Sequence, residues 1–365
     1  MERTKKIIRT SIVGIIVNVV LVAFKAFVGL VSGSVAVILD AVNNLSDVMS
    51  STVTIIGTKV SAKKPDKKHP FGHGRVEYIT SAIVSAIILV TGALSLKESI
   101  EKVITPEKAE YNAVSIIIIV VAIFAKIGVG IYFKKTGKSL KSDALIASGT
   151  DALSDALLSG GTLVAAVVSL IWNFTIEGYI GIIISLFIIK TGIEIIKDTF
   201  DSIIGKRADS ELTENLRNKL CSYDNVLGCY DLTLHNYGPN LIIGSAHIEL
   251  PDDMRAKEIH KLTRRMTVDI YTEFGIVMTI GIYASNSGGD AEMIKNDLTS
   301  IVSEYKEVLQ IHGFYLDEEH KSVMFDLVID FSADQKAISA EITDKIKEKY
   351  PDYSFYVVLD SDYSD

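Results

Sequence analysis

Acidic residues lie within two strongly apolar stretches of this sequence. The first stretch contains Asp40, Asn43 and Asp47, and the second contains Asp151 and Asp155. Because residues three and four apart share one face of a helix, each set projects from one side of its helix. Charged groups inside a membrane are costly, so they are rare there and usually functional. We expect the two helices to face each other, which would bring Asn43 and Asp47 together with Asp151 and Asp155.

The first 207 residues contain six apolar segments that are long enough to cross a bilayer, which takes about 20 helical residues. The second and fifth are the least apolar and contain the acidic residues, which is typical of helices that face a cavity or other helices rather than lipid. This pattern predicts an α-helical membrane protein with a six-helix transmembrane bundle in the lipid bilayer. The segments are 10–31, 34–59, 76–97, 113–134, 142–172 and 177–199.

Basic residues are concentrated in alternate loops of this half. They lie before the first segment, between the second and third, between the fourth and fifth, and after the sixth, whereas the other loops have few or balance them with Glu. The positive-inside rule therefore predicts a multi-pass protein of the cell membrane with both termini in the cytoplasm. No cleavable signal peptide is evident. Lys25 and Lys126 lie within spans, where snorkelling or a structural ion pair is the ordinary interpretation.

The two halves of the chain differ sharply in charge. Residues 1–207 have a net charge of +7 and residues 208–365 one of −15, which together give the −8 of the whole chain. This shift predicts a domain boundary near Lys206–Asp209, and the acidic half argues against nucleic acid as a partner. The only cysteines, Cys221 and Cys229, both lie in the acidic half, so we expect no disulfide framework.

The acidic half contains the order helix, strand, strand, helix, strand twice. A turn at residues 238–240 joins the first two strands, and a polar linker at residues 285–290 separates the two copies. We therefore predict a cytoplasmic α+β ferredoxin-like domain of αββαβ order that is repeated. The predicted domains are a transport domain at 1–207, a dimerisation domain at 208–287 and a second αββαβ-like domain at 288–365.

The residue types in the spans indicate the class of metal. Amide and carboxylate oxygens suit Mn²⁺ or Mg²⁺, whereas imidazole and thiolate favour Zn²⁺ and Cu⁺, and no His or Cys lies in a span. Since Mg²⁺ gives up its water reluctantly, Mn²⁺ is expected first, followed by Fe²⁺ and Co²⁺. Three close carboxylates repel one another when the cation leaves, so at least one takes up a proton. Metal export against proton entry is the natural exchange.

Other roles are open for these polar residues. Asn43, Asp47, Asp151 and Asp155 would act as interhelical contacts if they bound no metal, although two separate pairs with three acids are unusual for that role. Asp40 is expected to contact the metal ligands rather than the metal, to cap a helix end, or to line the outer mouth of the site.

Two stretches of the chain resemble the cation diffusion facilitator family. They are Ser34–Asp47 and the loop His69–Tyr78, and the Asp151/Asp155 pair fits as well. The resemblance covers about residues 8–285. It implies a homodimeric metal–proton antiporter with six spans and a cytoplasmic αββαβ domain that dimerises. Zinc-exporting members typically have His, or in some cases Asp, at the position of Asn43, so Asn43 resembles the manganese-exporting branch.

The resemblance also implies secondary metal sites. One lies in the loop between the second and third segments, at Asp66, His69 and His73; the alternative is a loop that only orders the third helix through Arg75 and Glu77. In the cytoplasmic domain, His247 and His260 match metal-binding positions of zinc members. Other such positions have Tyr230 and the Thr279–Gly281 region, which puts that site in doubt. His235, His312 and His320 are expected to be ordinary surface histidines.

The function that these features predict is divalent metal efflux, with Mn²⁺/H⁺ antiport by alternating access in a homodimer. Transported Mn²⁺ and H⁺ are then substrates, and no cofactor is expected. One alternative is an exporter of Fe²⁺, Co²⁺ or Zn²⁺ in the same family. Another is a transport-inactive membrane metal sensor or assembly protein, which the extra soluble repeat would suit. An intramembrane hydrolase has no support, since the sequence contains neither HExxH nor GxSxG.

Overall fold

The computed structural model describes residues 2–32, 35–105, 113–172, 176–239 and 241–361. The chain divides into two compact units. The first contains Met1–Lys206 with Tyr237–Asn240, and the second contains Arg207–Asn236 with Leu241–Asp365. The predicted division of the second unit at residues 287/288 remains a prediction.

Six long helices make up the first unit. Four of them contain stretches that are long and apolar enough to cross a membrane, namely Glu2–Phe27, Val76–Ile104, Ile116–Ser139 and Gly178–Ile204. The unit is therefore a helical transmembrane domain, while membrane crossing by the more polar second and fifth helices remains a prediction. The helices are α1 (Glu2–Ser32), α2 (Val35–Ser61), α3 (Val76–Ile104), α4 (Ala113–Ser139), α5 (Asp143–Trp172) and α6 (Glu177–Ile204).

Helices α4 and α5 approach each other closely because glycines lie at their contact. A Cβ atom on Gly149 of α5 would lie 2.8 Å from the backbone nitrogen of Lys134 on α4. A Cβ atom on Gly130 of α4 would lie 2.6 Å from the side chain of Leu153. Small residues at such contacts let membrane helices pack backbone to backbone. The short distance brings side chains of α4 within reach of polar groups on α5.

An arginine near the N-terminus joins three parts of the transmembrane unit. The Arg3 guanidinium donates two hydrogen bonds, of 2.7 and 2.9 Å, to the buried carboxylate of Glu77 on α3. It also donates to the backbone carbonyls of Leu140 (2.7 Å) and Lys141 (2.9 Å) between α4 and α5. Bidentate arginine–carboxylate pairs have a fixed geometry, so this contact orients α1 against α3.

The second unit contains the helix–strand–strand–helix–strand order twice. In each copy the first two strands are antiparallel and the third strand runs parallel to the second. The first copy consists of α7 (Ser210–Cys221), β1 (Gly228–Asn236), β2 (Ile242–Leu250), α8 (Ala256–Phe274) and β3 (Ile276–Ala284). The second consists of α9 (Gly289–Val302), β4 (Val308–Asp317), β5 (Ser322–Ile329), α10 (Gln335–Lys349) and β6 (Ser354–Asp360).

Each copy has its own hydrophobic core between its two helices and its sheet. Leu216 of α7 and Met266 of α8 are fully buried in the first core, and Leu298 of α9 and Ile342 of α10 in the second. Because the helices cover one face of each sheet, polar groups on the strands can gather on the other face. Cys221 is exposed and Cys229 is buried, and both are free thiols in the structure.

The strand registers show which residues of the two copies correspond. Tyr230 pairs with His247 across β1 and β2, and His312 pairs with Asp326 across β4 and β5. The register shifts directly after Tyr230 and directly after His312, at a bulge in each copy. Tyr230 therefore corresponds to His312, and His247 corresponds to Asp326.

Candidate metal sites

An ion-pair cluster joins α2, α4 and α5 inside the transmembrane unit. The Lys126 ammonium donates a 2.7 Å hydrogen bond to Oδ2 of Asp155 and also binds Oδ2 of Asp47. Only 8% of Asp47 and 4% of Lys126 are exposed. Asp47 and Asp155, which the spacing had predicted to converge, thus bind the same cation.

Asp151 lies one turn before Asp155 on α5 and is 5% exposed. It lies close enough to Asp155 and Asp47 to interact with both electrostatically. Helices α2 and α5 also contact each other nearby, since the hydroxyls of Thr54 and Ser148 are 3.3 Å apart. Three acidic side chains from two helices therefore lie around one buried region.

The remaining predicted members of this cluster are on α2. Asp40 and Asn43 both belong to the helix, but their side chains lie outside the described residues. Asn44, which follows Asn43, is buried. The placement of the Asn43 amide among the metal ligands therefore stays a prediction.

The surroundings of Lys126 distinguish the two roles expected from its sequence position, snorkelling and a structural ion pair. Snorkelling would carry the ammonium to water, whereas Lys126 is buried and paired with two predicted metal ligands. Lys126 therefore forms a structural ion pair, which was one of the two expected roles, and Lys25 on α1 is buried as well. The sequence signal was available: a lysine in the middle of an apolar helix needs an anion, and the acids of α2 and α5 were the obvious candidates.

The loop between α2 and α3 holds a second group of metal-ligand types. Asp66, His69 and His73 have ligand atoms that all lie within 4.8 Å of one another. Asp66 Oδ1 accepts a 2.8 Å hydrogen bond from the backbone nitrogen of His69, and Nε2 of His73 lies 3.5 Å from Oδ2. Backbone hydrogen bonds, first from His69 and then from Lys68, hold the pKa of the exposed Asp66 below its usual value. The three residues are thus arranged as a small, solvent-facing site.

Comparison with known protein families covers most of the chain. Residues 11–204 match the family model for the cation efflux transmembrane domain. Residues 208–282 match the model for the cation efflux protein cytoplasmic domain. The first match alone spans more than half of the 365 residues. The chain belongs to the cation diffusion facilitator family. Its members are transporters, which confirms the expectation that the chain is not an enzyme.

Several characterised and uncharacterised members of the cation diffusion facilitator family are similar to this chain. An uncharacterized transporter of Methanocaldococcus jannaschii is 31% identical over 262 residues, which is 72% of this chain and 91% of the relative. The manganese efflux system protein MneP of Bacillus subtilis is 27% identical over 78% of this chain and 97% of its own length. The manganese efflux system protein MneS of the same organism is 34% identical over 53% of this chain and 67% of its own length.

The cytoplasmic histidines that the family resemblance pointed to do not lie in one group. Nδ1 of His247 on β2 lies 2.5 Å from Oδ2 of Asp231 on β1. His260 is exposed on α8 and belongs to neither of the two groups of metal-ligand side chains found among the described residues. A shared role of His247 and His260 in metal binding stays a prediction without geometric support.

His312 was expected to be a surface histidine, and that expectation is wrong. Its side chain on β4 is completely buried, and Nε2 lies 2.6 Å from Oδ1 of Asp231. His235 and His320 are exposed, as expected. The signal that would have found His312 was the internal repeat, because its equivalent in the first copy is Tyr230, a position where zinc-exporting members of the family have a metal ligand.

Proposed function

We propose that this chain exports divalent metal ions, Mn²⁺ before others, in exchange for protons. The observation that carries the proposal is the cluster of three acids on two helices of a cation efflux transmembrane domain, in which Asp47 and Asp151 are buried and Asp155 is partly exposed. Acidic groups at such a depth are retained at high cost, and a transported cation supplies the compensating charge. Asn43, Asp47, Asp151 and Asp155 are the proposed ligands.

Manganese is the proposed substrate because every one of these ligands is an oxygen. Carboxylate and amide oxygens suit Mn²⁺, and no imidazole or thiolate is available in the helices to favour Zn²⁺. Two relatives, MneP and MneS, carry manganese efflux in their names. Fe²⁺, Co²⁺ and Zn²⁺ remain the alternative substrates, and the selectivity test below distinguishes them.

Lys126 provides a physical reason why metal export is exchanged for protons. Its ammonium binds the same carboxylates that would bind the metal, so a metal ion and the ammonium compete for the oxygens of Asp47 and Asp155. When the metal leaves, Lys126 and protons together neutralise the three acids, which prevents a buried excess of negative charge. Metal release and proton uptake are coupled in this way.

The proposal also covers the oligomeric state, the membrane topology and the loop site. The transporter is a homodimer in the cell membrane, with six spans, both termini in the cytoplasm and the site exposed alternately to each side. Residues 208–287 dimerise, as the family model for the cytoplasmic domain suggests. The loop group of Asp66, His69 and His73 is a secondary metal site on the cytoplasmic side.

The direct test is Mn²⁺ flux into proteoliposomes with a pH-sensitive dye inside. Asp47→Asn and Asp155→Asn each keep the side-chain volume and should abolish both Mn²⁺ uptake and the linked proton movement. Asp198→Asn, an exposed acid of α6, is the matched control and should transport normally. Normal transport by both site variants refutes the proposal, and binding without flux in the unmodified protein favours the transport-inactive sensor.

A further inference from the structure

A third group of metal-ligand side chains, separate from the transmembrane cluster and the loop group, lies between the two sheets of the C-terminal unit. Asp231 of β1, His312 of β4 and Asp326 of β5 have ligand atoms within 4.8 Å of one another. Nε2 of His312 lies 2.6 Å from Oδ1 of Asp231 and 3.8 Å from Oδ2 of Asp326. Ligands about 2.1 Å from an ion lie roughly 3 to 4 Å apart, so these separations suit a metal after small side-chain shifts.

Three buried polar atoms of the group have no hydrogen-bond partner among the described residues. Oδ2 of Asp231 is satisfied by His247 at 2.5 Å and by the Tyr283 hydroxyl at 2.8 Å. Oδ1 of Asp231 and both ring nitrogens of His312 are buried, and none of the three makes a hydrogen bond to the described residues. The short Nε2–Oδ1 separation lacks the alignment that a hydrogen bond requires.

Unsatisfied buried groups of this kind are rare and need an explanation, and a bound ion is one of the known ones. The ordinary alternative is a polar contact that only holds the two sheets together. A contact of that type would be expected to align the imidazole N–H with a carboxylate oxygen, since an unmade buried hydrogen bond is costly. The ring of His312 instead stacks on Tyr230, its equivalent in the first copy, with centroids 5.1 Å apart.

The charges around His312 also suit a cation. Carboxylates of Asp231, Asp326 and Asp360 approach it, the last with Oδ2 at 3.8 Å from Nε2. Glu249 faces the same region but is paired with Lys295 at 3.0 Å.

A cavity adjoins His312. A cavity of about 220 Å³ between the two copies is lined by Tyr230, Tyr283 and His312, together with the Glu249–Lys295 pair. Its volume is sufficient for several water molecules beside the imidazole.

We propose that Asp231, His312 and Asp326 bind a divalent metal ion between the two αββαβ copies of one chain. One imidazole nitrogen with two carboxylates suits Mn²⁺, Fe²⁺ or Zn²⁺. His312 and Asp326 lie beyond residue 282, where the match to the family's cytoplasmic domain ends, so the second copy of the repeat supplies the ligands that complete this site. Metal binding joins β1 to β4 and β5, and therefore fastens the second copy to the first.

The test uses Mn²⁺ and the full-length protein in detergent, with His69→Gln/His73→Gln as background so that the loop offers no imidazole. The proposed transport ligands include no histidine, so pulsed EPR of bound Mn²⁺ should show a histidine-nitrogen coupling only from the C-terminal unit. We expect His312→Gln and Asp326→Asn each to lose that coupling and one bound Mn²⁺ per chain. His235→Gln, an exposed histidine of β1, should keep both.

Thermal unfolding checks that the variants are folded. Mn²⁺ should raise the unfolding temperature of the background protein more than that of His312→Gln, while the two should unfold similarly without metal. Absence of nitrogen coupling in the background protein overturns the proposal, even if both variants fail to fold. Loss of coupling in His247→Gln but not in His312→Gln also overturns it. These results are independent of Mn²⁺ flux, which depends on Asp47 and Asp155.

Discussion

Replacing Lys126 by Met tests how the transport site balances its charge. The methionine keeps an unbranched side chain of similar length but removes the ammonium that binds Asp47 and Asp155. A metal ion that uses the same oxygens must first displace this ammonium in the unmodified protein. Without the ammonium, the carboxylates are available to the metal and we expect tighter binding.

The size of the effect follows from the burial of the pair. Lys126 is 4% exposed, and removing one partner of a buried ion pair leaves the other charge uncompensated at a cost of about 3–5 kcal/mol. A bound metal ion would recover this free energy in the variant. At the lower end of this range, the Kd for Mn²⁺ should fall roughly a hundredfold, since 1.4 kcal/mol corresponds to a factor of about ten. Turnover should fall too. In the variant no ammonium competes with the bound metal for the carboxylates, so the metal dissociates more slowly.

Isothermal titration of Mn²⁺ at alkaline pH, where protons compete least, measures the affinity, and proteoliposome flux measures the turnover. Lys135→Met changes an exposed lysine of the same helix and should leave both quantities unchanged. A Kd for Lys126→Met that is equal to or weaker than that of the unmodified protein would refute the competition between ammonium and metal.

The other predictions concern selectivity, stability and packing. Asn43→His should shift the preference from Mn²⁺ toward Zn²⁺, because imidazole replaces an amide oxygen, and an unchanged Mn²⁺/Zn²⁺ competition ratio in vesicles would contradict this assignment. Arg3→Ala leaves the buried Glu77 carboxylate without its cation, so it should destabilise the transmembrane unit by about 3 kcal/mol in denaturant unfolding, whereas Lys6→Ala, at an exposed pair, should cost less than about 1 kcal/mol. Gly149→Val should force α4 and α5 apart and lower Mn²⁺ flux, whereas the same change at Gly160, whose Cβ would meet nothing within 4 Å, should have little effect.

Local pattern was sufficient to predict most of the secondary structure. The αββαβ order was expected twice in the acidic half, and the structure has it as α7 to β3 and again as α9 to β6. Alternating hydrophobicity and turn residues determine such elements, so they can be inferred from neighbouring residues alone. The pairing of Asp47 with the α5 acids was also within reach, because i,i+4 spacing determines a helix face.

The partners of single charged residues were harder to infer. Lys126 lies on an almost uniformly apolar helix. Its need for an anion indicated the acids of α2 and α5, but its own segment does not indicate that it binds Asp47 and Asp155 among them. His312 was misjudged for a related reason. Its burial comes from the packing of one copy of the repeat on the other, which is a contact between strands about 80 residues apart in sequence and not a property of β4.

The correspondence of Tyr230 with His312, and of His247 with Asp326, has a consequence for how this interface can evolve. In a symmetric dimer of identical chains, any substitution appears on both sides of the twofold axis at once. A duplication within one chain removes that restriction, since either copy can mutate alone. An aromatic ring on one side can then face an imidazole on the other, and an asymmetric set of ligands can arise without any change in the remaining half.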